Sequence, residues 1–459
     1  ALVTSNGKIL HVSNTLADEG IEDGDTVSVI VRDVEVYAHK LGRAFAAITT
    51  DGSVVTWGSS ENGGDSSSVK EQLQDIQTIK VPGPRKQATV GAFAAIRGDG
   101  KVITWGSVEC GGDSTSVEAL LEDVVSIQAT HKSYAALRRD GRVITWGSGA
   151  YGGDLDNQDI IRELQDVRKI GSTTGAFAAI RNDGTCFTWG SLSFGGNTET
   201  MKDVLQDVRD VVGASRAFAA VRGDGTVLSW CCKLWPDFEG IVGGDSEAAQ
   251  AQLYDVQQVI ASTHAFAAIR SNGDVVTWGA PGCGGDSKAV LHQLRDVKTI
   301  YANSFAFAAL RGDGTVVSWG DSAYGGDSRT VQSQLESVQH IETTGGAFAA
   351  LKLDKTVVAW GGADHGGDNS AVAGKLTDVQ QVSGSLQAFA ALKSDGSVVT
   401  WGSPEFGGDS SAVQEKLHDV HRLFSAMRAF VAVRADGTFV TWGNLPFGGP
   451  TTYLEHGYY

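Results

Sequence analysis

The chain has 459 residues, 41% of them hydrophobic and 20% charged, with a formal charge of −17, a make-up that allows a large buried core. Lysine and arginine are thinly spread in this acidic chain, which argues against nucleic acid and anionic membrane surfaces as partners; no run reaches the ~18 apolar residues that a spanning helix needs, so no membrane insertion is expected. Five cysteines, an odd number, and the lack of any Asn-x-Ser/Thr sequon point away from a disulfide framework and towards the cytoplasm or another reducing compartment.

Residues 1–32 form a first region, and they show none of the charged and apolar zones of a signal peptide. Leu2-Val3, Gly7-Lys8-Ile9-Leu10, Thr15-Leu16-Ala17-Asp18, Asp23-Gly24-Asp25-Thr26-Val27 and Val29-Ile30-Val31 together resemble the second half of a ubiquitin-like domain. The resemblance implies that Val3 and Ile30 belong to that family's partner-binding apolar patch. About 30 residues cannot bury a core alone.

From Asp33 onward the chain repeats. Trp57, Trp105, Trp146, Trp189, Trp230, Trp278, Trp319, Trp360, Trp401 and Trp442 are mostly 41 residues apart, and ten units can be counted. In a clean copy, Asp296-Val297-Lys298-Thr299-Ile300 alternates like a half-buried strand. Ala306-Phe307-Ala308-Ala309-Leu310 is continuously apolar and suits a middle strand covered on both faces. Asp313-Gly314 then predicts a two-residue type I′ hairpin turn, and Val316-Val317-Ser318-Trp319-Gly320 is a third strand. Copy eight carries Asp354-Lys355 instead, which predicts a strained or longer turn. After each Gly-Gly pair, the Asp of Asp65, Asp113, Asp154, Asp245, Asp286, Asp327, Asp368 and Asp409 is placed to cap a short linking helix. Val413 and Leu417 would lie on one face of that helix.

The motifs W-G-x-x-x-x-G, V-x-x-x-L, D-V-x-x-I and A-[LI]-x-x-D-G-x-V resemble the repeat of the regulator-of-chromosome-condensation family over residues 33–449. The short-repeat variety of β-lactamase inhibitory protein II is the nearest form. The resemblance implies a mainly β fold with short linking helices, ten three-stranded units arranged as a β-propeller-like ring, followed by a tail at 450–459. Those propellers have seven blades, and no strand is left over here to latch a ring, so an open superhelical stack stands beside it as the alternative.

No catalytic constellation, cofactor motif or metal-ligand spacing emerges. Each Gly-Gly-Asp offers one carboxylate followed by a neutral residue, usually serine, as a cap needs and a calcium loop does not. Cys110, Cys186 and Cys283 stand in apolar slots of the repeat. The three Arg-Gly-Asp triplets, beginning at Arg97, Arg222 and Arg311, straddle hairpin turns.

Departures from the period carry more information. Seven extra residues fall around Pro82, Arg85 and Lys86, and seven more around Lys233, Leu234, Trp235, Asp237 and Phe238. Insertions in a repeat array become surface loops, and aromatic residues on such loops serve as interface anchors. The expected function is a non-catalytic protein-binding scaffold or peripheral subunit of a larger complex. The family resemblance leaves open a guanine-nucleotide exchange factor or the substrate-reading part of a HECT-type ubiquitin ligase. Unlatched ends leave open self-association into a filament.

Overall fold

The computed structural model describes residues 2–4, 9–10, 27–29, 33–38, 44–82, 91–153, 162–197, 201–231 and 243–444. Leu2–Thr4, Ile9–Leu10 and Val27–Val29 pair into a small antiparallel sheet with Leu2–Thr4 in the middle.

Ten three-stranded antiparallel sheets follow, each a meander of consecutive strands. Unit seven runs Val297–Ala302, Ala306–Arg311 and Val316–Gly320. As expected from their composition, the middle strands are buried on both faces, and their alanines are fully covered. Small side chains there let adjacent blades approach, while the second residue of the same strand supplies bulk. In every unit that Phe, or Tyr134 in unit three, stacks on the tryptophan directly across the sheet, with ring centroids 5.1–5.4 Å apart. Eight of the tryptophans also reach back to the preceding unit, where Nε1–H donates to the carbonyl of a turn glycine, as Trp319 does to Gly284 at 3.0 Å. The conserved period therefore repeats a joint between blades as well as a core residue.

Two further bonds tie neighbouring units. In units two to ten the first residue of the first strand, which lies innermost, donates its N–H to the hairpin of the unit before, from Ile76 to Gly52 through Val420 to Gly396. At the opposite edge, loop backbones bond in sequence from His131 to Thr174, Ser215, Thr263 and Ser304. First strands of neighbouring units lie side by side as the inner wall, with Lys169 Nζ 2.6 Å from Asp210 Oδ1 and Lys80 Nζ 3.1 Å from Gln128 Oε1.

The array closes on itself. Ala429, Val431 and Val433 of unit ten share one core with Val34, Phe45, Ala47 and Trp57 of unit one, through the faces that join unit seven to unit eight. The ring is thus a ten-bladed propeller closed by side-chain packing, and each blade comes from one continuous stretch of chain.

Three local expectations need correction. The hairpins are three-residue loops, a type I turn followed by a left-handed glycine, because Gly314 N–H bonds Arg311 O and Arg311 N–H bonds Thr315 O while only Gly314 has positive φ. Lys355 adopts that same conformation at φ 66° with the same two bonds, so copy eight has a strained residue in an unlengthened turn. Seven of the linking helices are 3₁₀ segments of three or six residues, while Arg162 and Glu163, in the linker before unit four, are α-helical. Ser66, Ser246 and Ser410 hold the N-cap position, one residue after the aspartate expected there.

The aspartates still do a related task. In seven linkers Oδ1 accepts the backbone N–H two residues on, at 2.8–3.0 Å, and Asp154 lies outside the described residues. Asp409→Ala is expected to lower stability by about 1 kcal/mol, read as a shifted urea midpoint.

Acid should expose these bonds collectively. Backbone N–H donors hold Asp65, Asp113, Asp368 and Asp409 below the usual carboxylate range. Neighbouring hydroxyls, with backbone N–H groups, do the same for Asp183, Asp224, Asp313, Asp354 and Asp395. A depressed folded pKa contributes stability above the unfolded value near pH 4, and that stability is lost as pH falls through the folded value. The melting temperature is expected to hold from pH 7 to 5 and to drop below pH 4; a rise there would mean that relief of charge repulsion dominates.

Candidate functional site

Antiparallel pairing places the end of the first strand, the start of the middle strand and the end of the third at one edge of each blade. In unit five Gly213 faces Phe218 and Ala217 faces Cys231; in unit two Lys80 faces Ala94 and Ala92 faces Gly106. One insertion interrupts the hairpin between Pro82 and Gly91, and the other leaves after Cys231 and rejoins at Gly243. Both therefore issue from the same face of the ring, here termed the loop face. Pro82 is buried, whereas Arg85, Lys86, Lys233, Leu234, Trp235, Asp237 and Phe238 lie outside the described residues, as does Ile30. Val3 sits in the central strand of the N-terminal sheet.

Between the insertions the loop face carries a 3₁₀ turn after the third strand in the described units, which sequence reasoning missed. Its last residue is often aromatic, and it packs on residues just ahead of a neighbouring middle strand. The Arg216 guanidinium lies 5.3 Å from the Phe194 ring centre and that of Arg428 lies 5.1 Å from Phe406. Phe305 and Tyr324 are 4.5 Å apart, and Tyr324 meets the edge of His365 at 5.4 Å. At the first position of the turn, Val108 is 68% and Leu192 51% exposed. Other units have Ser, Gly, Ala or Pro there, so a comparison between copies could have found both.

His264 stands beside the point where the second insertion rejoins, its carbonyl accepting from Ala280 N–H. Burial, and then the charge of Arg216, push its pKa down, so the imidazole is neutral at pH 7. Its Nδ1 is buried with no partner among the described residues. Cys110, Cys186 and Cys283 are buried as expected, and burial pushes the Cys186 thiol up to about 12, which leaves it protonated and unreactive.

The opposite face is built from the hairpins. Arg97 pairs with Asp99 at 3.1 Å and Arg311 with Asp313 at 3.3 Å, while Oδ1 of both aspartates accepts the N–H two residues on. Two of the three Arg-Gly-Asp triplets thus spend their charges inside the turn. On the rim, a groove of about 340 Å³ between two linkers is lined by Ala249, Gln252, Trp278, Asp286, Lys288 and Leu291. No group of three or more His, Cys, Asp or Glu side chains suited to a metal ion occurs among the described residues. No helix among them is long and apolar enough to cross a membrane.

No family model and no curated protein sequence matches the chain. Among solved structures it is similar to the ectodomain of the receptor kinase CR4 from Physcomitrella patens, at 13% identity and TM-score 0.36 over 62% of this chain and 73% of that one. It is also similar to Prp20p from Saccharomyces cerevisiae, at 17% identity and TM-score 0.32 over 52% of this chain and 74% of that one. A third similarity is to the computationally designed Ika8 protein, at 13% identity and TM-score 0.34 over 80% of this chain and 98% of that one. With scores this low, the blade architecture rests on the strand pairing and shared cores described above.

Proposed function

We propose that this chain is a non-catalytic, protein-binding propeller of the regulator-of-chromosome-condensation type, a scaffold or peripheral subunit that presents its loop face to other proteins. The observation that carries this reading is the exit of both seven-residue insertions from one face of the ring. A rigid frame lowers the ordering cost of binding, and aromatic anchors raise its yield. Trp235 and Phe238 are the proposed anchors, Lys233, Leu234, Asp237, Arg85 and Lys86 the polar and apolar surround, and Val108 and Leu192 exposed apolar neighbours. Residues 1–32 are proposed as a partial ubiquitin-like segment whose Val3 and Ile30 add a second contact.

The test replaces Trp235 and Phe238 by Ala together and compares recovery of partners from native lysate with the melting temperature. Loss of a buried anchor commonly costs about 2 kcal/mol or more, roughly thirtyfold in dissociation constant, so recovery should fall while the melting temperature holds. Unchanged recovery with a lowered melting temperature would show a loop packed on its own blade and defeat the proposal.

A further inference from the structure

At nine of the ten junctions between blades the inner strand is tied to the preceding hairpin, and at the tenth it is not. At the nine, the first residue of the inner strand donates its N–H to the preceding hairpin, at 2.8–3.0 Å. Val34 makes no such bond to Gly437 among the described residues, and a side chain at Gly437 would meet nothing within 4 Å. Trp57 lacks an acceptor for its buried Nε1–H among them, as Trp278 does at the junction of units five and six, so that bond does not set the tenth junction apart. A leucine at the end of each linker fills the nine regular junctions, as Leu335 does between units seven and eight. The same sequence position before unit one is Val31, which is smaller and lies outside the described residues.

Unit ten departs from the other nine on the facing side. Its third strand begins with Phe439 where the rest have Val or, once, Cys186, and its middle strand has Val431 where the rest have Ala. Both pack into the core shared with unit one, Phe439 at 5.5 Å from the Trp57 ring. Arg422 and Asp33 add an exposed ion pair across the junction at 3.5 Å. Added bulk thus sits where the inner strand's hydrogen bond to the preceding hairpin is lacking among the described residues.

We propose that the junction of units ten and one is a dedicated closing seam, through which the ring opens reversibly while the other nine junctions stay packed. Among the described residues no strand crosses this seam, so parting it breaks side-chain contacts and the exposed ion pair but none of the described sheets. The remaining nine junctions hold the blades in an open arc during the event.

Thiol labelling of the full chain, resolved by peptide mass spectrometry, tests this. Ala429→Cys reports on the seam and Ala306→Cys on the matched position between units seven and eight; both alanines are fully buried. The expected result is labelling at Cys-substituted Ala429 on the order of tenfold faster, given the hydrogen bond that this junction lacks among the described residues. Phe439→Val, which installs the residue of the regular units, should speed labelling further at 429 and leave 306 unchanged. Should that variant fail to fold, Arg422→Gln, which removes only an exposed pair, is read in the same way. Equal rates at 429 and 306, or an acceleration of both alike, would show cooperative unfolding in place of a seam and overturn the proposal.

Discussion

Trp319→Ala is expected to destabilise the ring by about 3–5 kcal/mol, the usual range for removing a buried large aromatic side chain. The indole stacks on Phe307 at 5.2 Å and 16°, and it is almost wholly buried between units six and seven. Its Nε1–H satisfies the carbonyl of Gly284 in the unit before, so truncation opens a cavity and removes a bond between blades at once. Trp319→Phe keeps the ring contact and loses mainly the bond, which predicts a smaller cost of about 1–2 kcal/mol. Far-ultraviolet circular dichroism in urea is the suitable measurement, because it does not depend on the fluorescence of the residue removed. A phenylalanine variant as unstable as the alanine one would mean that the hydrogen bond outweighs packing.

Much of this fold was legible because its signals are long-ranged and repeated. The tryptophan period and the unbroken Ala-Phe-Ala-Ala runs have one economical solution, a buried middle strand flanked by two others, and that is what forms. Details that depend on a single residue's backbone were not legible. Asp-Gly suits both a two-residue type I′ turn and a type I turn with a left-handed glycine, and the choice falls to the Arg311–Thr315 pairing on either side. Val413 and Leu417 at i,i+4 fit an α-helix, yet both also reach the core from a 3₁₀ segment, since Leu417 sits just beyond its end at φ −87°, ψ 61°. Asp296 and its counterparts enter the first strand with positive φ, a choice open to aspartate but not signalled by it. Ring closure had no local signature either. The substitutions Phe439 and Val431 become meaningful only once unit ten is seen to face unit one. For the candidate site, the insertions stood out as breaks in the period, but their exit from a common face follows from strand order and needed the pairing to be known.

Gly326→Ala is expected to cost about 3 kcal/mol or more, while Gly374→Ala is neutral or stabilises by about 0.4–1 kcal/mol. The difference comes from what each Cβ would meet. After Trp319 the chain makes a closed turn in which Gly326 N–H returns to Asp321 O at 2.8 Å. The second glycine of the pair then lies directly against the backbone of Gly320, so a Cβ would fall 2.4 Å from both its carbonyl carbon and oxygen. Backbone atoms cannot swing aside as a flexible side chain would, and Gly320 is itself held by pairing with Ala306. Gly374 lies in the 3₁₀ segment Ala373–Lys375, with nothing within 4 Å of an added Cβ and a conformation open to alanine. There the substitution mainly removes freedom from the unfolded chain. Urea midpoints of the two variants, measured side by side, decide the matter. If Gly326→Ala were no worse than Gly374→Ala, the Gly-Gly pair would not be fixed by close backbone approach, and the repeat's most regular feature would need another physical cause.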